Sequence, residues 1–252
     1  MKILIVYAVD PEFEPWRRLR IFEQISEGDV TVHRTVSGAA TVDFLVSGMG
    51  PAYAARAMDA IADGGHSIYI AAGFAGALRS ECTIGDIVIP KSIRSEATDE
   101  LASPDAQLVA QAIAAGGQSV ATLVSSDRIA TTVEEKKRLG QRAEAVDMES
   151  FTVVSAAQRR KIPSLAVRII SDRHDQALPV DLSAAVDDRG QVAVGSVLRI
   201  AARNPGQISA LMKLGRDSKR AAESLSRFLD AYISSISCME PRSFSGCTGG
   251  GG

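Results

Sequence analysis

The chain has 252 residues, 46% of them hydrophobic, a length that suits one α/β domain with a sizeable core. A formal net charge of -2 and scattered lysine and arginine leave no basic footprint, which argues against a nucleic-acid partner. The three cysteines, Cys82, Cys238 and Cys247, are odd in number and lack metal-ligand spacing, so no disulfide framework or zinc site is expected and a reducing, cytoplasmic setting fits.

In chain order, KILIVYA (2–8) reads as a first buried strand, too short for a secretory signal. Asp10 and Pro11 open a helix, with Asp10 as N-cap and Pro11 at the first helical position. VTVHRTV (30–36) and VDFLVSG (42–48) read as strands, the second running into Gly48–Gly50. PAYAARAMDAIADGG (51–65) reads as a helix closed by glycine. SIYIAAG (67–73) is a strand, followed by a loop over 73–86 and a strand IVIP (87–90). Helices follow at 104–117, 132–140 and 149–161, and strands at 119–126, 143–148 and 164–171. Residues 191–235 read as helical, with breaks at Asn204-Pro205 and near Gly215. The charged runs EEKKR and RRK are taken as solvated helix faces. One catalytic domain over 1–236 is expected, with a flexible tail over 237–252 too poor in apolar residues to order itself. No apolar run approaches the roughly 20 residues that span a bilayer, and contact with a membrane surface is left open.

Apolar strands alternating with helices predict a mixed or parallel sheet covered on both faces. Such sheets bind ligands beyond the carboxyl ends of their strands. Four segments reach that edge: Asp10 to Glu14, Gly73 to Ala77, Met148-Glu149 and Ser171-Asp172. Each has a plain reading on its own. Glu12 and Glu149 suit the first turn of a helix. Asp172 could cap a turn with Ser171 and Asp175. The small residues of GFAG (73–76) let backbone N–H groups approach a ligand, yet most glycine-rich turns are only turns. GFAG is neither a P-loop nor a dinucleotide fingerprint.

As an ordered set the segments say more. AVDMES (145–150) is followed by IISD (169–172). Ahead of them stand Ala8 to Glu12, SGMG (47–50), GFAGAL (73–78) and GDIVI (85–89). This series resembles the purine nucleoside phosphorylase and uridine phosphorylase superfamily over about residues 1 to 176. It is most similar to the branch of 5'-methylthioadenosine/S-adenosylhomocysteine nucleosidases. The resemblance implies a three-layer fold with a central twisted mixed sheet and a homodimer. It also implies cleavage of a ribose C1'–N9 bond to adenine, without metal or organic cofactor. On it, Asp172 protonates N7 of the leaving base and Glu12 orients and deprotonates the attacking water. Glu149 accepts hydrogen bonds from the ribose hydroxyls, and Met148 packs on the sugar. Ala75, Gly76 and Ser171 complete the substrate contacts.

The chain also departs from that branch. Phe74 stands where the family loop carries a small or hydroxyl residue. Ile129 stands where the nucleosidases place an aromatic on the base, so Phe74 or Phe151 becomes the stacking candidate. The long C-terminal part looks more like the hopanoid-associated nucleoside phosphorylases, which remove adenine from adenosylhopane. Its extra helices are read either as a wall around a bulky 5' substituent or as packing. Water and phosphate both stay open as nucleophile, because no Gly-Asp-Pro-Gly-Arg-like phosphate segment is present. Arg128 and Arg168 are the remaining phosphate candidates. A nucleoside-binding protein without catalysis is the rival reading.

Overall fold

A computed structural model describes residues 1–27, 30–178, 190–191 and 208–237. Strands β1 (Lys2–Tyr7), β4 (Ala40–Val46), β5 (Ile68–Ala77), β6 (Ile87–Ser95), β8 (Gln118–Ser125), β9 (Ala145–Asp147) and β10 (Ser164–Asp172) form the body of one ten-stranded sheet. Antiparallel β2 (Glu23–Glu27) and β3 (Val30–Ser37) extend it beyond β4, and short β7 (Leu101–Ala102) pairs with β6. The parallel pairs are β1 with β4 and β5, β5 with β10, and β8 with β6 and β9. β10 also pairs antiparallel with β6, and β5 with β9, so β5, β10, β6, β8 and β9 close into a ring. Closure brings the ends of β5, β9 and β10 together at one rim.

Helices α1 (Asp10–Leu19), α3 (Ala106–Ala114) and α6 (Ile208–Ser237) cover one face of the sheet, and α2 (Pro51–Ala60) and α5 (Ser150–Arg159) the other. Alternation along β1 shows why. Ile3, Ile5 and Tyr7 meet Phe13, Trp16, Leu225 and Leu229 on one side, while Leu4 and Val6 meet Met58 and Val153 on the other. A strand buried on both faces needs an unbroken apolar run, and burying each such side chain contributes about 1.5–3 kcal/mol. The remaining helix among the described residues, α4 (Val133–Gly140), precedes β9. No described helix is long and apolar enough to cross a membrane.

Several local expectations change. β2 was not anticipated, because EQISE has no apolar alternation; it exists as the partner of β3. The stretch GFAG is strand rather than loop, since β5 is held through Gly76 by β10 and β9. β6 continues past Pro90 to Ser95 along β8. The α1 cap is Val9 rather than Asp10, which is the first helical residue. Gly215 does not break α6, whose buried face supplies Leu225, Leu229, Tyr232 and Ile233 to the core. That packing outweighs the roughly 1 kcal/mol cost of one glycine in a helix. The expected break at Asn204-Pro205 and residues 238–252 of the expected tail lie outside the described residues.

Candidate active site

All four segments singled out from the sequence line one cavity at the rim of the ring. β1 and the start of α1 bring Ala8, Val9 and Glu12; β5 brings Phe74, Ala75 and Gly76. The turn from β9 into α5 brings Met148 and Glu149, and β10 brings Ser171 and Asp172. Arg128 and Ile129 enter from the loop after β8, and Leu214 and Ser218 from α6.

Glu12 is only 3% exposed, which rules out a solvated first-turn acid. One carboxylate oxygen accepts the backbone N–H groups of Ala8 (2.9 Å) and Val9 (3.1 Å), and the other accepts that of Phe74 (2.7 Å). Burial raises its pKa, opposed by the Arg168 guanidinium and these donors. Gly73 makes the arrangement possible. Its φ is +148°, and a Cβ there would lie 2.5 Å from Glu12 Oε1 and 2.6 Å from Arg168 Nη1.

Arg168 is buried beside the cavity rather than lining it. Its Nη2 lies 2.7 Å from Asp147 Oδ2 and 3.7 Å from Glu149 Oε2. Nε donates to Ser150 Oγ at 3.0 Å and Nη1 to the Ala72 carbonyl at 3.3 Å. The guanidinium is therefore committed to protein groups, and the expectation that it serves phosphate does not match its place. Arg128 does line the cavity, with Nε 3.0 Å from Glu135 Oε1. Asp147 also accepts from Ser125 Oγ (2.5 Å) and from the Ser150 N–H (3.1 Å), which secures the start of α5.

Glu149 is held by the Gly50 N–H at 2.6 Å. Burial, opposed by Arg168 and assisted by the charge of Asp147, raises its pKa to about 8. A group raised by folding stabilises the fold at acid pH, and that contribution is lost as pH climbs through the raised value. The melting temperature of the ligand-free chain is therefore expected to fall from about pH 5 to about pH 8. Glu149→Gln should flatten that fall and lower kcat as well. A variant with the wild-type slope would show that Glu149 does not carry this titration.

Asp172 does not cap a turn with Asp175, which pairs instead with Arg173 at 2.7 Å. Its Oδ1 accepts from Ser171 Oγ (2.8 Å) and its Oδ2 meets the Lys136 ammonium. Gly76 leaves room for it, since a Cβ there would come within 3.1 Å of Oδ2. Lys136 corrects the reading of EEKKR as a solvated face: its side chain is fully buried. Phe74 and Ile129 both line the cavity. Phe151 does not line it; that ring packs against the core on the α2–α5 side of the sheet. The sequence readings missed Lys136 and the structural part of Arg168. A charged run carries no signal of burial; Arg168, inside the apolar run LAVRII, did carry one.

A family model described as the phosphorylase superfamily matches residues 2–204. Among solved structures the chain is similar to a futalosine hydrolase mutant of Helicobacter pylori, at 18% identity and TM-score 0.73, over 93% of this chain and 99% of that one. It is also similar to a mutant Helicobacter pylori MTAN with 5'-methylthioadenosine in its active site, at 19% identity and TM-score 0.73, over 93% and 98% of the two chains. A third is the Campylobacter jejuni 5'-methylthioadenosine/S-adenosylhomocysteine nucleosidase, at 15% identity and TM-score 0.72, over 93% and 99%. At such identities the likeness to these structures is one of fold. A search of curated proteins returned no match.

Proposed function

Because the chain belongs to the phosphorylase superfamily, we propose that it cleaves the N-glycosidic bond of an adenine nucleoside modified at its 5' position. The observation that carries this reading is the meeting of Glu12, Glu149 and Asp172 at one cavity from three separate elements. Three carboxyl groups gathered without a catalytic use would cost a fold stability, which weighs against a binding protein without catalysis.

Each acid has a distinct task. Breaking C1'–N9 leaves positive charge on the sugar and negative charge on the base. As a carboxylate, the form that the arriving hydroxyl donors favour over the protonated one of the free chain, Glu149 accepts from the ribose hydroxyls, and its attraction to the sugar grows as the bond breaks. Asp172 serves N7 of the base as general acid. Glu12 takes a proton from the attacking water, and burial moves it toward the range in which a general base works. Phe74, Ala75, Gly76, Met148, Ile129 and Ser171 complete the walls. Water is favoured over phosphate, because this reading gives Glu12 the water to activate and Arg168 is engaged with Asp147.

One feature favours an apolar 5' substituent. Apolar Leu214 of α6 joins Leu178 in lining the cavity. The test is product analysis on adenosine, methylthioadenosine and a long-alkyl thioadenosine, with and without phosphate. Adenine and the free sugar should appear without phosphate, and the long-alkyl substrate should be preferred. Strict phosphate dependence would overturn hydrolysis. Preference for methylthioadenosine would remove the α6 wall from the argument. No adenine from any substrate would leave the nucleoside-binding rival.

A further inference from the structure

Lys136 lies on α4 between exposed Glu134 and exposed Lys137, yet its own side chain is fully buried. An ammonium group has three donors and no acceptor. Here the three donors reach the Asp172 carboxylate, the Arg173 carbonyl at 2.7 Å and the Gln176 carbonyl at 2.9 Å. That shell of three oxygens is complete, and burying a charge demands such a shell. The pairing also raises a question for the reaction. A carboxylate in an ion pair carries no proton of its own, while the departing base needs one.

We propose that Lys136 is a positioning residue for Asp172, and that the proton given to the base is one the Lys136–Asp172 pair holds between them. As C1'–N9 breaks, its electron pair passes into the purine. A proton leaves Nζ for the Asp172 carboxyl, and that carboxyl gives a proton to N7. Lys136 ends as a neutral amine, Asp172 as a carboxylate and adenine as a neutral base. Once the product leaves, solvent in the cavity returns a proton to Asp172 and through it to the amine. Lys136 does not line the cavity, so it acts only through Asp172. The inference rests on the adenine-releasing reading above.

The competing role is a purely structural pin. Lys136 ties the carbonyls of Arg173 and Gln176 to α4, and Leu178, which lines the cavity, donates its N–H to the Thr131 carbonyl at 2.9 Å. Other charged groups stand nearby, several of them in pairs of their own. On α4 and the preceding loop, Glu135 pairs with Arg128 and Arg138 with Glu96. After β10, Arg173 pairs with Asp175 and half-buried His174 stands between them. Across the cavity stand Glu12, Asp147 and Glu149.

The experiment measures kcat and KM across pH in the full chain, on whichever adenine nucleoside the wild type cleaves. The variants are Lys136→Met, Lys136→Gln, Asp172→Asn and Lys136→Met with Asp172→Asn. Lys136→Met should lower kcat by about 10²-fold, the scale of a lost general acid, with KM little changed. Its alkaline limb of kcat/KM should lie at lower pH than in the wild type, because the carboxyl then has no ammonium from which to draw a proton. Lys136→Gln keeps donors for the carbonyls but no charge, and should show the same displaced limb. In the double variant, loss of Lys136 should add nothing to loss of Asp172. A limb that stays or moves to higher pH, or losses that multiply, would overturn the proposal and leave the pin. A wild type inert on every nucleoside would remove the reaction itself, and it shows before any variant is compared.

Discussion

Asp172→Asn is expected to keep the fold and most of the nucleoside binding, and to lower kcat by about 10²-fold or more. The substitution conserves shape. The amide oxygen can still accept from Ser171 Oγ, which lies 2.8 Å from Oδ1 in the native chain. What the amide lacks is a proton to give and a charge to pair with the buried Lys136 ammonium, and the missing charge costs some stability. The loss should therefore fall on kcat rather than KM, since the base needs that proton only as the bond breaks. Adenine release followed alongside the melting temperature separates the effect from unfolding. Turnover near the native rate would reduce Asp172 to a hydrogen-bonding partner of Ser171 and Lys136. The function would then rest on fold, and fold alone does not name a reaction.

Glu12→Gln is expected to slow turnover by about 10²–10⁴-fold, the range general base catalysis supplies. Here the structure predicts a second, smaller effect. Glu12 accepts three backbone N–H groups with its two oxygens. A glutamine has one oxygen, so its NH2 must face at least one of those donors. A buried donor left without a partner costs about 1–3 kcal/mol, offset in part because no buried charge remains. Turnover should accordingly be measured well below the melting temperature of the variant. A fully folded variant with near-native activity would show that the attacking group is activated elsewhere.

The sequence by itself determined the layered α/β fold and pointed to three acids that line one cavity. Strands such as KILIVY are buried on both faces, so their apolar runs are unbroken and legible without a structure. The site was legible because a mixed sheet of this kind exposes few positions at its strand ends. Glu12, Glu149 and Asp172 stand at such ends and line one cavity. Phe151 was misplaced because the turn into α5 decides which of two neighbouring residues faces the cavity, and the helix carries that ring to the core instead.

Tertiary structure decided whatever depended on a partner distant in the chain. EQISE became a strand only through β3, and GFAG stayed in a strand only because β9 and β10 both hold β5. Lys136 and Lys137 are the same residue type on the same helix. One is exposed and the other meets Asp172, 36 positions away, across the closed ring of strands. Burial of a charge is set by whether partners satisfy it. No local pattern records such partners, because they come from sheet closure rather than from neighbours along the chain.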